Sequence, residues 1–442
     1  MKHSKLEIQN SPLPRYDRYK DSGVEWLGDV PEHWEVERVF SAFNERVETG
    51  HAADELPNLN ITIGRGVQVE EFEGARKKRL IEDLNAYKRA KKGDIAYNTM
   101  RMWQGAVGDV PVDGLVSPAY VVARPIKPIN SRFYSYLFRT EMFQAETNRH
   151  SYGIVSDRNR LYWLGFKNIV LPIPSLAEQD RIVAFLDRKT AEIDTLIAKK
   201  QRQIELLDEQ RAILINRAVT RGLNPNAKLK PSGIEWIGDI PEHWEVKSAK
   251  HACERIIDCK NRTPEVVPNG RYYVLRTSNV KKGLLVSDEI TRTNLKHFEI
   301  WTERGAPQKD DVLFTREAPA GEACLFDGSI PACLGQRMMY FRTDPTQLLP
   351  QFLVHTIYQG PSATYIVLKT NGSTVGHLRL PQVYALPILL PPVEEQMQIL
   401  GAIAANEEAE KKLIQTIQSQ ILSLQTLRST LIAHAVTGRI KV

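Results

Sequence analysis

The sequence predicts an α+β protein: two similar α/β domains separated by two long antiparallel helices, a coiled-coil stalk, in a tandem repeat with a pseudo-twofold axis. Three observations predict it. First, Gly23–Val36, GVEWLGDVPEHWEV, recurs as Gly233–Val246, GIEWIGDIPEHWEV, with eleven of fourteen positions identical. The differences (Val24/Ile234, Leu27/Ile237, Val30/Ile240) only exchange aliphatic side chains, and internal repeats of this kind fix the architecture. Second, Glu178-Gln179 recurs as Glu395-Gln396, and Ala218-Val219-Thr220 as Ala435-Val436-Thr437, each 217 residues on. Third, both closing segments, 176–220 and 393–437, carry apolar residues at heptad spacing.

The bulk numbers agree. At 442 residues two or more domains are expected. No apolar run reaches the ~18 residues of a membrane span, and the polar N-terminus MKHSKLEIQN does not resemble a signal peptide. A cytoplasmic chain is expected. Cys253, Cys259, Cys324 and Cys333 follow no common zinc spacing and read as small buried apolar residues. The net charge is +6. Segment 176–220 is neutral and 393–437 is −2, so the rest of the chain holds +8. The positive excess lies where a polyanion would bind.

In chain order, the expected boundaries are 1–170, 171–222, 223–389 and 390–442. Residues 1–19 show no counterpart in the second copy, and the sequence leaves open whether they pair with the C-terminus or fray. Trp26 and Trp34 flank a Gly-Asp-Val-Pro turn, read as a structured loop with both indoles on a core. The first variable region, about 37–170, mixes short strands near Gly93–Tyr97 and Tyr120–Ala123 with a helix over Ser131–Asn148. Phe133, Tyr136, Leu137 and Phe143 line one face of that helix. The same region carries a basic cluster: Arg76, Lys77, Lys78, Arg79, Lys88, Arg89, Lys91 and Lys92, with Tyr87 among them. Such a run is either a solvated face or a phosphate-binding one. Arg101, Arg158 and Arg160 join it as candidates, because arginine forks suit phosphates and guanine edges.

A long helix is expected after Pro172 and Pro174, with Ser175 as N-cap. Val183, Leu186, Ile193, Ile197, Ile204, Leu207, Leu214 and Ala218 form its seam, interrupted by Thr190, Lys200 and Arg211. About 43 residues would make a rod of roughly 65 Å. Arg221–Pro231 is a polar linker.

The second variable region, 247–389, shares the skeleton of the first. Asp94-Ile95 aligns with Asp311-Val312, Phe133 with Phe352 at the start of a shorter helix, and Arg160-Leu161 with Arg379-Leu380. Its basic candidates are dispersed: Lys260, Arg262, Arg276, Lys281, Lys282, Arg316 and Arg379. The second rod continues the seam with Leu400, Ile403, Ile414, Ile417, Ile421, Leu424, Leu431 and Ala435, interrupted by Glu407, Glu410 and Arg428. Two helices that cannot each hide their stripe alone should pack together. An antiparallel pairing would bring Glu410 to Arg211.

The W-[LI]-G-D-[VI]-P-E-H-W-E-V motif heads each half, and Leu-Pro-Ile-Pro-Ser-Leu-Ala-Glu-Gln179 and Leu-Pro-Pro-Val-Glu-Glu-Gln396 lead into the long helices. Together they resemble the specificity (S) subunit of type I restriction–modification systems, over residues about 20–442. The resemblance implies that each variable region is a target recognition domain reading one half of a bipartite DNA sequence. It implies that the helical stalk sets the unread spacer and docks two modification (methyltransferase) subunits. Restriction (motor/nuclease) subunits would complete the cleaving complex. S-adenosylmethionine, ATP and magnesium would belong to those partners, with no cofactor on this chain.

The residues fit a non-catalytic role. There is no Asn/Asp-Pro-Pro-Tyr/Phe motif, no Walker G-x-x-x-x-G-K-[ST] and no HExxH. Two other readings compete. Asp239, Glu245 and Lys247 resemble the Asp…Glu-x-Lys of a metal-dependent nuclease, although Glu37 replaces Lys247 in the first copy. A coiled-coil scaffold without DNA specificity is the other.

Overall fold

The computed structural model describes residues 14–49, 56–70, 86–153, 159–286, 290–370 and 376–442. The chain divides into two compact units, one of residues 1–200 with 418–442 and one of residues 201–417. Both long helices therefore contribute to both units.

The first unit opens with a hairpin, Tyr19–Asp21 against Asp29–Pro31. Gly28 makes its turn in the left-handed region, at φ 67°, where glycine alone is unstrained. The shared motif is thus a short strand as well as a loop. Trp34 is fully buried, and Trp26 packs edge-on against Phe143 at 5.3 Å. The central sheet is antiparallel, in the order Phe43–Glu45, Tyr120–Pro125, Ile95–Asn98, Val107–Asp109. Its burial runs on both faces, with Ile95, Ala96, Tyr97 and Asn98 all buried. One face meets an aromatic core of Phe43, Phe133, Tyr134, Phe138, Phe143 and Phe166. The other meets a smaller core with Leu59, Ile61, Val67 and Val116.

The predicted helix over Ser131–Asn148 is two helices, Ser131–Phe138 and Glu141–Arg149. Thr140 breaks it: its hydroxyl accepts the Phe143 N–H as an N-cap, and its backbone is extended. A capping side chain competes with the helix interior, which periodicity alone does not register.

The second unit repeats this plan. Leu229–Pro231 pairs with Asp239–Pro241 as Tyr19–Asp21 does with Asp29–Pro31. Its four-stranded sheet has the same order: Cys253–Asp258, Met338–Thr343, Val312–Thr315, Ala323–Leu325. The helix at Phe352 is not shorter than its counterpart; Pro350–Gln359 and Pro361–Thr370 form a similar pair. The units differ in what is inserted. The first carries the hairpin Leu59–Thr62/Gly66–Val69. The second carries a three-stranded mixed sheet around Tyr272–Leu275 and a helix, Leu295–Trp301. Trp236 is 39% exposed where its counterpart Trp26 is 8%. All four cysteines are buried and free, and burial pushes the Cys253, Cys324 and Cys333 thiols up to about 12.

The long helices run Leu176–Arg221 and Val393–Val436. They are antiparallel. In the first unit Arg428 Nε lies 2.9 Å from Asp194 Oδ1, joining the later part of one to the first half of the other. In the second unit Arg211 of the first helix meets Glu410 of the second. Val183, Leu186, Ile193, Ala218, Ile403, Ile417 and Ala435 are buried. Ile197, Ile204, Leu207, Leu400, Ile414, Ile421, Leu424 and Leu431 are half-buried. Leu214 is a correction: it is 41% exposed, and Ile215 is buried in its place. A straight helix turns every 3.6 residues, so a strict heptad drifts off the seam over several turns.

No described helix is long and apolar enough to cross a membrane.

Candidate nucleic-acid interface

The repeated residues form a junction that holds each domain on its long helix. In the first unit Glu178 is buried in the first turn of that helix. It accepts the Tyr16 hydroxyl at 2.5 Å and faces His33 Nε2 at 3.1 Å. Burial raises its carboxyl, but the Tyr16, Trp34 and His33 side chains outweigh that and hold it below the usual range. In the second unit Glu395 meets His243 Nε2 at 2.7 Å and accepts the Trp244 indole N–H at 3.0 Å. The His of each PEHWEV therefore meets the Glu of the following Glu-Gln pair; in the second unit the Trp indole joins it, and in the first Tyr16 does.

The glutamines act alike. Gln179 accepts the Asn130 N–H at 2.8 Å and donates to the Pro174 carbonyl. Gln396 accepts the Leu349 N–H at 2.9 Å and donates to the Gln347 and Pro391 carbonyls. Asn130 and Leu349 cap the equivalent domain helices. Residues before Tyr19 have a partner as well: the Lys441 N–H donates to the Pro14 carbonyl at 2.7 Å.

Beyond this junction, one end of each central sheet gathers cations. In the first unit a cleft of about 430 Å³ is lined by Glu45, Lys88, Thr99, Met100, Tyr120, Arg160, Tyr162 and Trp163, among others. In the second unit the matching end holds Arg316, Glu317, Arg337 and His377. The matching is set by backbone: Leu161 donates its N–H to the Thr99 carbonyl, and Leu378 donates to that of Arg316. The sheets align Asp94 with Asp311, which makes Thr99 and Arg316 equivalent. Leu161 thus matches Leu378, and the predicted alignment of Arg160-Leu161 with Arg379-Leu380 is two residues out. Arg160 corresponds to His377, and Tyr162 to Arg379. Asp94 and Asp311 do the same work in both units. Asp94 accepts the Lys91 N–H and pairs with Arg46, and Asp311 accepts the Gln308 N–H and pairs with Arg342.

The predicted cations fall as follows. Arg76, Lys77, Lys78, Arg79 and Arg158 lie outside the described residues. The Lys88 ammonium donates to the Tyr120 carbonyl at 2.8 Å, and burial pushes its pKa down. Arg89 lies 3.3 Å from Asp113. Lys91 and Lys92 flank the next turn, donating backbone N–H groups to Asp94 and Asp113. Arg101 and Arg160 are exposed. Lys260 pairs with Glu303 at 2.8 Å. The Arg262 guanidinium stacks over Trp301 at 5.3 Å. Arg276 is exposed and opens the turn Thr277–Asn279, its N–H on Asn279. Lys281 and Lys282 are exposed in a tight hairpin, with the Lys282 N–H on Glu322. Arg316 is largely buried, its Nε 3.3 Å from Asp258. Burial pushes the Asp258 carboxyl up against the pull of Arg316. Arg379 is exposed before the helix Leu380–Tyr384.

Of the residues suggesting a nuclease, Lys247 pairs with Glu245 at 3.1 Å. Asp239 sits in the separate hairpin with Leu229–Pro231. Among the described residues no group of three or more His, Cys, Asp or Glu is placed to hold a metal ion. Sequence reasoning passed over Glu317, Arg337 and His377, which are distant in the chain and meet only through sheet pairing.

The family described as the type I restriction modification DNA specificity domain matches residues 58–206 and 241–422, well over half of the chain. The chain belongs to that family. Relatives extend over nearly its whole length. The MjaVIII specificity subunit of Methanocaldococcus jannaschii is 23% identical over 430 residues, covering 93% of this chain and 94% of the relative. The EcoKI specificity subunit of Escherichia coli K12 is 24% identical over 329 residues, covering 72% and 68%. Among solved structures, the HsdS subunit from Thermoanaerobacter tengcongensis aligns with a TM-score of 0.53 at 17% identity, covering 93% of this chain and 98% of that one. A chain from a type I restriction–modification system studied for complex assembly and conformational transition aligns at 0.63 with 16% identity, covering 92% and 98%. These structural likenesses show the fold. As a member of this family the chain is a type I DNA specificity subunit with two recognition domains.

Proposed function

We propose that the chain works as the non-catalytic reader of a type I restriction–modification complex in the cytoplasm, each unit reading one half of a bipartite duplex target. One observation carries this reading: a single sheet topology occurs twice, with the same internal anchors at Asp94/Asp311 and Leu161/Leu378, but with unlike insertions and unlike side chains at the equivalent sheet end. Shared anchors with divergent surfaces are what two readers of two different words require. Phosphate contacts from Lys and Arg would position the duplex, and base-edge contacts would specify it. The long helices, nearly neutral overall, suit protein partners. They are the elements proposed to set the spacer and to dock two methyltransferase subunits. Methyl transfer would use S-adenosylmethionine on those subunits; ATP and magnesium would belong to restriction subunits, and this chain itself would bind no cofactor.

The test is to express the chain with its methyltransferase partner and map methylated bases genome-wide. The expected result is one motif with two specified blocks and an unspecified gap, absent when this chain is withheld. A motif unchanged without this chain, or methylation with no sequence preference, would refute the proposal. The latter outcome would favour the scaffold reading.

A further inference from the structure

We infer that Arg337 reads a guanine in the half-site taken by the second unit, with Glu317 as its positioning residue; this rests on the DNA-reading function proposed above. Arg337 stands at the turn between Ala332–Leu334 and Met338–Thr343, where the ladder of the central sheet runs out. Its backbone is left-handed, at φ 73°, a conformation that strains a residue bearing a Cβ. A glycine would take that backbone freely, so the turn itself does not call for an arginine.

The turn is pinned on three sides. The Gly335 N–H donates to the Leu275 carbonyl at 2.7 Å, the Gln336 N–H to the Thr263 hydroxyl at 3.3 Å, and the Arg316 N–H to the Arg337 carbonyl at 2.9 Å. The side chain is fixed too. Its Nε lies 3.2 Å from Glu317 Oε2, while the other carboxylate oxygen faces His377 Nδ1 at 3.0 Å. Glu317 and His377 are themselves joined by a backbone bridge, which holds the carboxylate's two partners on either side of it.

The choice of nitrogen matters. Nε is the nitrogen nearest Glu317, the two terminal nitrogens of the guanidinium make no hydrogen bond among the described residues, and the side chain is 45% exposed. That pair is the fork that matches the O6 and N7 acceptors of guanine in the major groove. A buttressed arginine on a pinned turn loses little freedom on binding. Neighbouring Arg316 lacks this freedom, because it is turned inward on Asp258. In the first unit Met100 stands at the position of Glu317 and Arg160 at that of His377, so the device belongs to the second half-site alone.

The experiment compares the full-length chain and its Arg337→Gly, Arg337→Lys and Glu317→Gln variants, each assembled with the methyltransferase subunits, by motif mapping and by binding to duplexes varied one base pair at a time. Arg337→Gly is expected to keep the melting temperature and to lose discrimination at one G·C position of one block, by roughly 10-fold or more. The other block should be untouched. Arg337→Lys should fail to restore it, because an ammonium is not a fork, and Glu317→Gln should relax the same position in part. An unchanged motif in Arg337→Gly, or an equal loss at every sequence, would overturn the inference while leaving the reader function standing. A wild-type complex without sequence preference would instead sink both.

Discussion

Arg211 Nε stands 3.9 Å from Glu410 Oε2 across the seam of the long helices in the second unit. Glu410 is 8% exposed, and neither carboxylate oxygen has a hydrogen-bond partner. Burial pushes its carboxyl up, with Arg211 opposing. Arg211 divides its attention, its Nη2 lying 3.1 Å from Asp208.

Replacing a buried ion pair with packed apolar side chains is commonly neutral or stabilising, and removing one partner is costly only where the other charge stays buried; Arg211 is 41% exposed and keeps Asp208. Glu410→Leu is therefore expected to stabilise the chain by ~1–2 kcal/mol, and Arg211→Glu to destabilise it by ~0.5–1 kcal/mol after solvent screening. Denaturant titration reads both. Because the Glu410 pKa is raised on folding, its charged form opposes folding. Stability should fall as pH rises past about 4.5, and Glu410→Gln should remove that slope.

Glu178 gives the opposite sign. Its folded pKa is lowered, so its contribution is present above about 4.5 and lost as pH falls through the lower folded value. Glu178→Gln should flatten the acid limb of the stability profile. Glu178→Ala, which leaves Tyr16 unpaired, should cost about 1–3 kcal/mol at neutral pH. Melting curves across pH 3–7, with that range chosen to bracket carboxylate titration, separate the two.

Gly438 and Gly222 close the two long helices at φ 73° and 71°. A Cβ on Gly438 would run into the Pro31 ring and sit 3.1 Å from Trp34 Cη2. One on Gly222 would meet Glu395 Oε1 at 2.7 Å and Trp244 Cζ2 at 3.3 Å, side-chain atoms with no proline ring among them. Gly438→Ala should cost roughly 2–4 kcal/mol from strain and overpacking together. Gly222→Ala should cost about half as much. Equal losses would show that the Pro31 contact is unimportant.

Arg101 is exposed beside the first unit's cleft, without an ion-pair partner among the described residues. As a phosphate contact, Arg101→Ala should weaken all duplexes alike and reduce the slope of log K against log salt by about 0.9. Titrations at several salt concentrations check it.

Much of this was legible in the sequence. The two copies of GVEWLGDVPEHWEV revealed that one fold occurs twice, and the heptad with its misplaced charges brought Arg211 to Glu410. Where the reading slipped, short-range patterns met long-range geometry. Thr140 capped a second helix inside a continuous apolar stripe. Leu214 obeyed a seven-residue count where the helix obeyed 3.6. Arg160 was matched to Arg379 by residue type, but register follows the buried Leu161 and Leu378. Of the candidate cations, Arg316 turned inward on Asp258, because charge in a sequence does not say which way a side chain faces.

Gln396 ties three places with one amide: the turn before its own helix, the loop at Gln347 and the cap at Leu349. Loosening any of these leaves polar groups stranded away from water. The first turn of the helix and the recognition domain beside it should therefore open to solvent together, with amide protons of both exchanging at one common rate.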